Sequence, residues 1–311
     1  MPWRSLSSGP SIANLFPPVM ATAKNTMNIE SIKTVGVLGA GTMGNGIAHV
    51  FARSGFRVIL RDVDKRSLDR GMETIGKNLD REIKKGKIPE AARSVVLGRI
   101  QPVTDNVALV GADFVVEAVP EKRDLKLAVL KEADKLLGPS VILATNTSSI
   151  SVTELAAQTS RADRFIGMHF MNPVPVMTLV EVISGLATSE ATFQTTMDLC
   201  AKLDKTPVAV NDSPGFVSNR ILLPMINEAA FTVMEGIATP EAVDAVMKMG
   251  MSHLMGPLEL ADFIGLDVCV DILEVLYQGF GDPKYRACPL LRKYVAAGWL
   301  GRKTGRGFYK Y

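Results

Sequence analysis

The chain is poor in the residues that would mark a metal site or a covalent framework. It has three cysteines and three histidines in 311 residues. Cys200, Cys269 and Cys288 lie far apart, and neither they nor His49, His169 and His253 fall at metal-ligand spacings. No metal centre or disulfide scaffold is therefore expected, and an odd, sparse cysteine count suits a reducing compartment. An excess of one charge is missing too. The formal net charge is +3, which argues against nucleic acid or an anionic membrane as the main partner. No apolar run approaches the ~18 residues of a spanning helix, and no solenoid-length repeat appears. What is left is an ordinary globular composition, 47% hydrophobic and 22% charged.

Residues 1–28 stand apart. They carry Arg4 and Lys24, no acid, and no usable periodicity, and read as a disordered extension. Two origins stay open. One is a mitochondrial transit peptide, since those avoid acidic residues. The other is an upstream start codon, with Met20 or Met27 the true start. The expected location is the cytoplasm, or the mitochondrial matrix if the extension is a targeting segment.

From Ile32 onward, short apolar runs alternate with longer amphipathic ones. "TVGVLG", "RVILRD", "DFVVEAVP", "SVILATN", "RFIGMHF", "LVEVISG" and "TPVAVND" read as strands, with helical patterns over 123–137 and 189–203. Continuous Val/Ile/Leu runs indicate strands buried on both faces. The predicted fold is therefore α/β, a Rossmann-type doubly wound, mostly parallel sheet. Residues 65–98 are longer than a simple crossover needs and read as an inserted helical arm. Its basic stretch at Lys77, Arg81, Lys84, Lys85 and Lys87 is either a solvated helix face or a clamp for phosphates. After "VNDSPGFVSNR" the strands stop. Helical patterns follow over 216–236, 240–249, 264–279 and 287–297, the second opened by Thr239 as N-cap and Pro240 at the first helical position. The boundary falls near Ser213 to Gly215, dividing the chain into a Rossmann-type unit over 29–213 and an all-helical unit over 214–311.

The chemistry starts at "GAGTMG". Gly39, Gly41 and Gly44 form G-x-G-x-x-G between a Val-rich strand and a helix pattern. Gly39 permits a tight turn, Gly41 lets a pyrophosphate approach the helix N-terminus, and Gly44 packs the helix. Thr42 and Met43 lie inside the motif as further cofactor contacts, while Gly36 and Gly46 read as packing residues. Asp62 closes the next strand at nearly the ~20-residue spacing of a ribose-binding carboxylate. It points to NAD, although Arg61 beside it keeps NADP open. A nicotinamide cofactor needs a proton handler, and at neutral pH that is histidine. His49 and His253 read as structural. His169 ends the strand "RFIGMHF", where α/β folds bind ligands. Glu181 lies in the next strand and would orient the imidazole if the two strands are neighbours.

"GAGTMGNGIA", "NTSSISVTEL", "GMHFMNPVPVMTLVEVI", "DSPGFVSNRILLP", "MGPLELADFIGLD" and "GRKTGRGFY" together resemble the 3-hydroxyacyl-CoA dehydrogenase family over residues 31–311. The resemblance implies that His169 is the general base, Glu181 its partner, and Ser148 and Asn219 contacts to the substrate's reacting region. It implies cofactor-side roles for Glu121, Lys126, Ser148 and Lys303, and coenzyme A contacts for Asn78, Lys85 and Ser148. It further implies an acyl-CoA substrate, a homodimer formed through the helical unit, and a place in fatty-acid or four-carbon acid metabolism. Plainer readings stand beside these: Ser148 as the N-cap of the helix near Val152, Asn219 as a helix-end hydrogen bonder, and Glu121 as an acid at an exposed helix start. Two rival functions remain, a dehydrogenase of free 3-hydroxy acids and a non-enzymatic, crystallin-type NAD-binding relative.

Overall fold

The computed structural model describes residues 29–311. The extension expected over 1–28 lies outside the described residues. Eight strands form one sheet in the order β3-β2-β1-β4-β5-β6-β7-β8. These are β1 (Thr34–Leu38), β2 (Arg57–Arg61), β3 (Ile100–Val103), β4 (Phe114–Glu117), β5 (Ile142–Thr145), β6 (Phe165–Phe170), β7 (Leu179–Ser184) and β8 (Thr206–Asn211). Strands β1 to β6 pair in parallel, β7 runs antiparallel to β6, and β8 pairs in parallel with β7. The doubly wound, mostly parallel sheet is as the runs of Val, Ile and Leu predict. Strand β1 is buried along its whole length, as are β4, β5 and β6.

Helices cover both faces. On one side α1 (Thr42–Arg53), α2 (Lys65–Lys84), α3 (Ala92–Gly98) and α6 (Glu190–Lys202) contribute to a core that includes Ile47, Phe51, Leu79 and Leu199. On the other, α4 (Arg123–Leu136) and α5 (Val152–Ala156) close over Leu130, Val152, Leu155 and the sheet. Each fully buried Val, Ile or Phe contributes about 1.5–3 kcal/mol. The long segment after β2 is a helical pair, α2 and α3. It also serves as the crossover to β3, a strand that the apolar alternation does not predict. The reason is local: β3 is a four-residue edge strand, largely exposed at Gln101 and Pro102, and proline is tolerated only at such an edge.

The sheet ends at Asn211. Beyond it come α7 (Ser218–Met234), α8 (Pro240–Gly250), α9 (Pro257–Ile264), α10 (Leu266–Phe280) and α11 (Pro289–Ala296) around their own core of Leu223, Ile226, Leu258, Leu273 and Leu291. Thr239 caps α8 by accepting from the Ala242 amide at 3.3 Å. Helix α9 is not among the predicted helices; its buried face carries Asp262 beside Leu258 and Ala261, so no clean apolar stripe marks it.

The three motif glycines have separate physical jobs. Gly39 sits at φ +99°, and a Cβ there would meet the Ala118 carbonyl oxygen at 2.7 Å. At Gly44 a Cβ would fall 1.8 Å from the Gly39 carbonyl oxygen, so α1 packs on the turn itself. A Cβ on Gly41 would meet nothing within 4 Å; the room it leaves faces outward. Gly36 and Gly46 are packing positions, closed by Leu109 at 2.9 Å and Val174 at 2.8 Å. Gly44→Ala is expected to cost about 1–3 kcal/mol through the forced backbone shift. Gly41→Ala should leave folding within roughly 0.5 kcal/mol. Urea unfolding of the two variants checks this, and equal losses would contradict the division of roles.

Candidate active site

Antiparallel pairing of β6 with β7 sets His169 opposite Glu181. Directly opposed residues project to the same face of a sheet, and here the side chains meet: His169 Nδ1 lies 2.7 Å from Glu181 Oε2. Both are buried, at 6% and 2% exposure. The carboxylate has more partners. Ser218 donates its hydroxyl to Oε2 at 2.9 Å and its amide to Oε1 at 2.9 Å, and the Val217 amide reaches Oε1 at 3.2 Å. Ser218 is the first residue of α7, so the acid also sits at that helix's positive end. Burial would push the Glu181 carboxyl up. The hydrogen bonds from His169 and Ser218, with the attraction of the imidazole, outweigh burial and hold it below its ordinary value. An ionised carboxylate only accepts, so Nδ1 carries the proton and Nε2 is left as an acceptor.

Nε2 faces Ser148 Oγ at 3.0 Å. Ser148 belongs to the turn between β5 and α5, and that turn is held from two sides. Glu121 Oε1 accepts from the amides of Ser148 and Ser149 at 2.8 and 3.0 Å and from the hydroxyls of Thr147 and Ser149 at 2.6 and 3.0 Å. From the helical unit, Asn219 Nδ2 donates to the Ser148 carbonyl at 3.0 Å. The N-cap of α5 is Ser151, which accepts from the Glu154 amide at 3.1 Å; Ser148 is free of that duty. The ring of Phe216, in left-handed backbone at φ 51°, lies 5.8 Å from the imidazole centroid. Such a conformation costs of order 1–3 kcal/mol in a bulky residue.

Beside this group opens a cavity of 520 Å³. Gly39, Gly41, Thr42, Met43, Asp62, Glu121 and Ser148 line it, with Arg61 and Asn146. Asp62 Oδ2 accepts from the Ala40 amide at 2.7 Å, which ties the end of β2 to the glycine turn. A free-sided glycine at the start of a twelve-residue helix, with a carboxylate at the next strand end, fits a dinucleotide.

Comparison with known proteins agrees. Residues 34–213 match the profile of the 3-hydroxyacyl-CoA dehydrogenase NAD binding domain, and residues 215–311 that of the 3-hydroxyacyl-CoA dehydrogenase C-terminal domain. The chain belongs to the 3-hydroxyacyl-CoA dehydrogenase family. It is 56% identical over 280 residues to a probable 3-hydroxybutyryl-CoA dehydrogenase of Bacillus subtilis, covering 90% of this chain and 98% of that one. It is 55% identical to a 3-hydroxybutyryl-CoA dehydrogenase of Bradyrhizobium diazoefficiens, covering 90% and 96%. The crystal structure of (S)-3-hydroxybutyryl-CoA dehydrogenase from Ralstonia eutropha superimposes with a TM-score of 0.88 at 54% identity, covering 90% and 99%.

Other residues that the family resemblance singled out fall in three places. Asn78 and Lys85 come together with Arg81 and Lys87 around a cavity of 150 Å³, closed on its other side by Pro173, Pro175 and Val176. Lys303 pairs with Asp267, both carboxylate oxygens at 2.6 Å, and does not line the 520 Å³ cavity. Lys126 does not line it either. It is fully buried and bonded to Glu117 at 2.8 Å. His49 is buried on α1, 3.7 Å from Glu82, and His253 lies between α8 and α9.

Several site residues escaped the sequence reading. Ser218 and Phe216 sit within the quoted "DSPGFVSNR", but nothing local tells that they meet His169. Lys205, buried just before β8, donates to the carbonyls of Val174 and Met177 at 2.6 and 2.7 Å and so pins the loop that follows His169. Burial brings its ammonium down to about 8.

Because the folded-state Glu181 carboxyl titrates below its ordinary value of 4.5, its stabilising contribution is present above that pH and is lost as pH falls through the folded value. Glu181→Gln should cost about 1–3 kcal/mol at neutral pH. The wild-type melting temperature should then drop more steeply than the variant's as the pH is taken below 4.5. Parallel curves would count against an ionised, hydrogen-bonded Glu181.

Proposed function

We propose that this chain interconverts (3S)-3-hydroxyacyl-CoA and 3-ketoacyl-CoA with NAD, 3-hydroxybutyryl-CoA being the expected substrate. The observation that carries the reading is the Glu181–His169–Ser148 line at the edge of the cavity that holds the glycine turn and Asp62. Bound NAD supplies the hydride acceptor. His169 Nε2, the unprotonated nitrogen, takes the proton of the 3-hydroxyl. Glu181 stabilises the imidazolium and keeps the ring aimed. Ser148 Oγ, released from Nε2 when the substrate hydroxyl arrives there, donates to the oxygen as it becomes a carbonyl. Asn219 holds Ser148 through its carbonyl. In reduction the same proton returns. Asp62 accepts from the adenosine ribose and repels a 2′-phosphate, which favours NAD over NADP. Asn78 and Lys85, with Arg81 and Lys87 beside them, offer donors and positive charge for the phosphates of coenzyme A.

We read the chain as two working units, 29–213 for the cofactor and 214–311 for substrate closure and self-association. Exposed apolar side chains crowd the second unit: Ile221, Val246, Met249, Met251, Leu254 and Phe263. Exposed apolar side chains in this number support a homodimer through the helical unit. Among the described residues no helix is long and apolar enough to cross a membrane. The reduced, buried cysteines and the bacterial relatives support a cytoplasmic setting.

His169→Gln should lower kcat by roughly 10²–10⁴ while NAD still binds, the usual worth of a positioned base. The assay uses acetoacetyl-CoA against longer 3-ketoacyl-CoAs and free acetoacetate, with NADH and NADPH side by side. A loss of only about tenfold, or equal turnover of the free acid, would overturn the assignment. Sedimentation should report twice the mass of one chain; a monomer would remove the dimer.

A further inference from the structure

The most densely bonded polar group beside the site is neither His169 nor Asp62. It is a buried chain of charges running from β4 to the serine turn. Lys126 and Glu117 are both completely buried. The ammonium has three donors, and all are spent. It reaches Glu117 Oε1 at 2.8 Å and Oε2 at 3.1 Å, the Val119 carbonyl at 3.2 Å, and Glu121 Oε2 at 3.2 Å. Glu117 is itself saturated, accepting from the Val119 amide at 2.7 Å and from the Thr145 hydroxyl at 2.6 Å. Nothing in this arrangement is left over for a ligand. What emerges from it is the second oxygen of Glu121, which faces the turn and collects the donors of Thr147, Ser148 and Ser149.

We propose that Lys126 is a positioning residue: locked against Glu117, its charge holds Glu121 in place as the acceptor that fixes the Thr147–Ser149 turn and so aims Ser148 at His169. The inference rests on the reading that His169 and Ser148 perform the proton chemistry, and it gives Lys126 a role other than touching the cofactor. The turn needs such a holder. Ser148 is pinned at its amide by Glu121 and at its carbonyl by Asn219, and its hydroxyl is the group left to move between His169 and an arriving oxygen. Four donors converge on one carboxylate oxygen, an arrangement that a neutral acceptor would not support. A carboxylate that exposes about a third of its side chain would swing into water without a fixed counter-charge behind it. The buried pair also explains why the counter-charge does not stray, since every proton on its nitrogen is already committed. Burial pushes the Glu121 carboxyl up, and the attraction of Lys126 together with the hydrogen bonds from Thr147, Ser148 and Ser149 outweighs it and holds the group below its ordinary value.

The test is a set of double-mutant cycles. Glu117→Gln combined with Lys126→Met removes the buried pair without leaving a lone charge. Glu121→Gln, partly exposed, is the variant that tests the same relay without touching the core. Each is combined with Ser148→Ala. Each without the serine change should lower kcat by about 10–100-fold, the cost of a misplaced group, and the Glu117→Gln/Lys126→Met variant should keep an NAD dissociation constant, from fluorescence titration, within about threefold of wild type. Each combined with Ser148→Ala should be no slower than Ser148→Ala alone, because the relay acts through that hydroxyl. Additive losses would overturn the proposal. So would a weakening of NAD binding by tenfold or more at unchanged kcat, which would make Lys126 a cofactor contact. A second readout does not depend on turnover. The NMR titration of the His169 ring should shift in Glu121→Gln in the same sense as in Ser148→Ala; an unshifted ring in Glu121→Gln alone would also overturn it. If the wild-type protein leaves the thioester untouched, the dehydrogenase reading fails while this ring titration still decides the relay.

Discussion

The structure turns on one contact, the 2.7 Å hydrogen bond between His169 and Glu181. It exists because β7 reverses direction against β6 and registers the two residues as a pair. Its acid does two jobs. One oxygen orients the imidazole; the other receives the amides at the start of α7. The imidazole therefore inherits its orientation from the junction between sheet and helical unit. A shift of α7 relative to the sheet would be felt first at the ring. This makes the pair costly to hold as well as useful, since a carboxylate removed from water must be satisfied by bonds on all sides.

A similar economy governs the serine turn. Its two anchors come from opposite sides of the cleft, Glu121 from the loop before α4 and Asn219 from α7. Neither anchor touches the Ser148 hydroxyl, which stays available for chemistry. Holding a backbone firmly while leaving one hydroxyl to move is how a site obtains both precision and turnover. The buried Glu117–Lys126 pair behind it contributes little net stability on general grounds, and its saturation with partners is better understood as fixing a place than as holding the fold together.

On the cofactor side the demands are steric. Gly39 and Gly44 answer to neighbouring backbone, one through its φ and the other through the Gly39 carbonyl oxygen, 1.8 Å from where a Cβ would be. At Gly41 alone of the three a Cβ would meet nothing within 4 Å. Asp62 belongs to both worlds, because one oxygen bonds the turn at Ala40 while the residue also lines the cavity. A carboxylate that lines the cavity thus also braces the loop beside it.

Much of this was legible in the amino-acid order, because it is written locally. The strand runs, the G-x-G-x-x-G turn with Asp62 after it, the Thr239 cap and the break near residue 213 all depend on neighbours within a few positions, where periodicity and turn chemistry speak directly. Edge strand β3 was too short to announce itself, and helix α9 hides its periodicity by burying an acid, Asp262. The sequence also singled out His169 and Glu181, but only conditionally, for strand adjacency and direction are non-local. Tertiary structure decided that condition. It chose Ser151 over Ser148 as the cap of α5, brought Ser218 and Phe216 to the imidazole, and buried Lys126 against Glu117. Those outcomes depend on which surfaces meet once the sheet is assembled, and no window of consecutive residues contains that information.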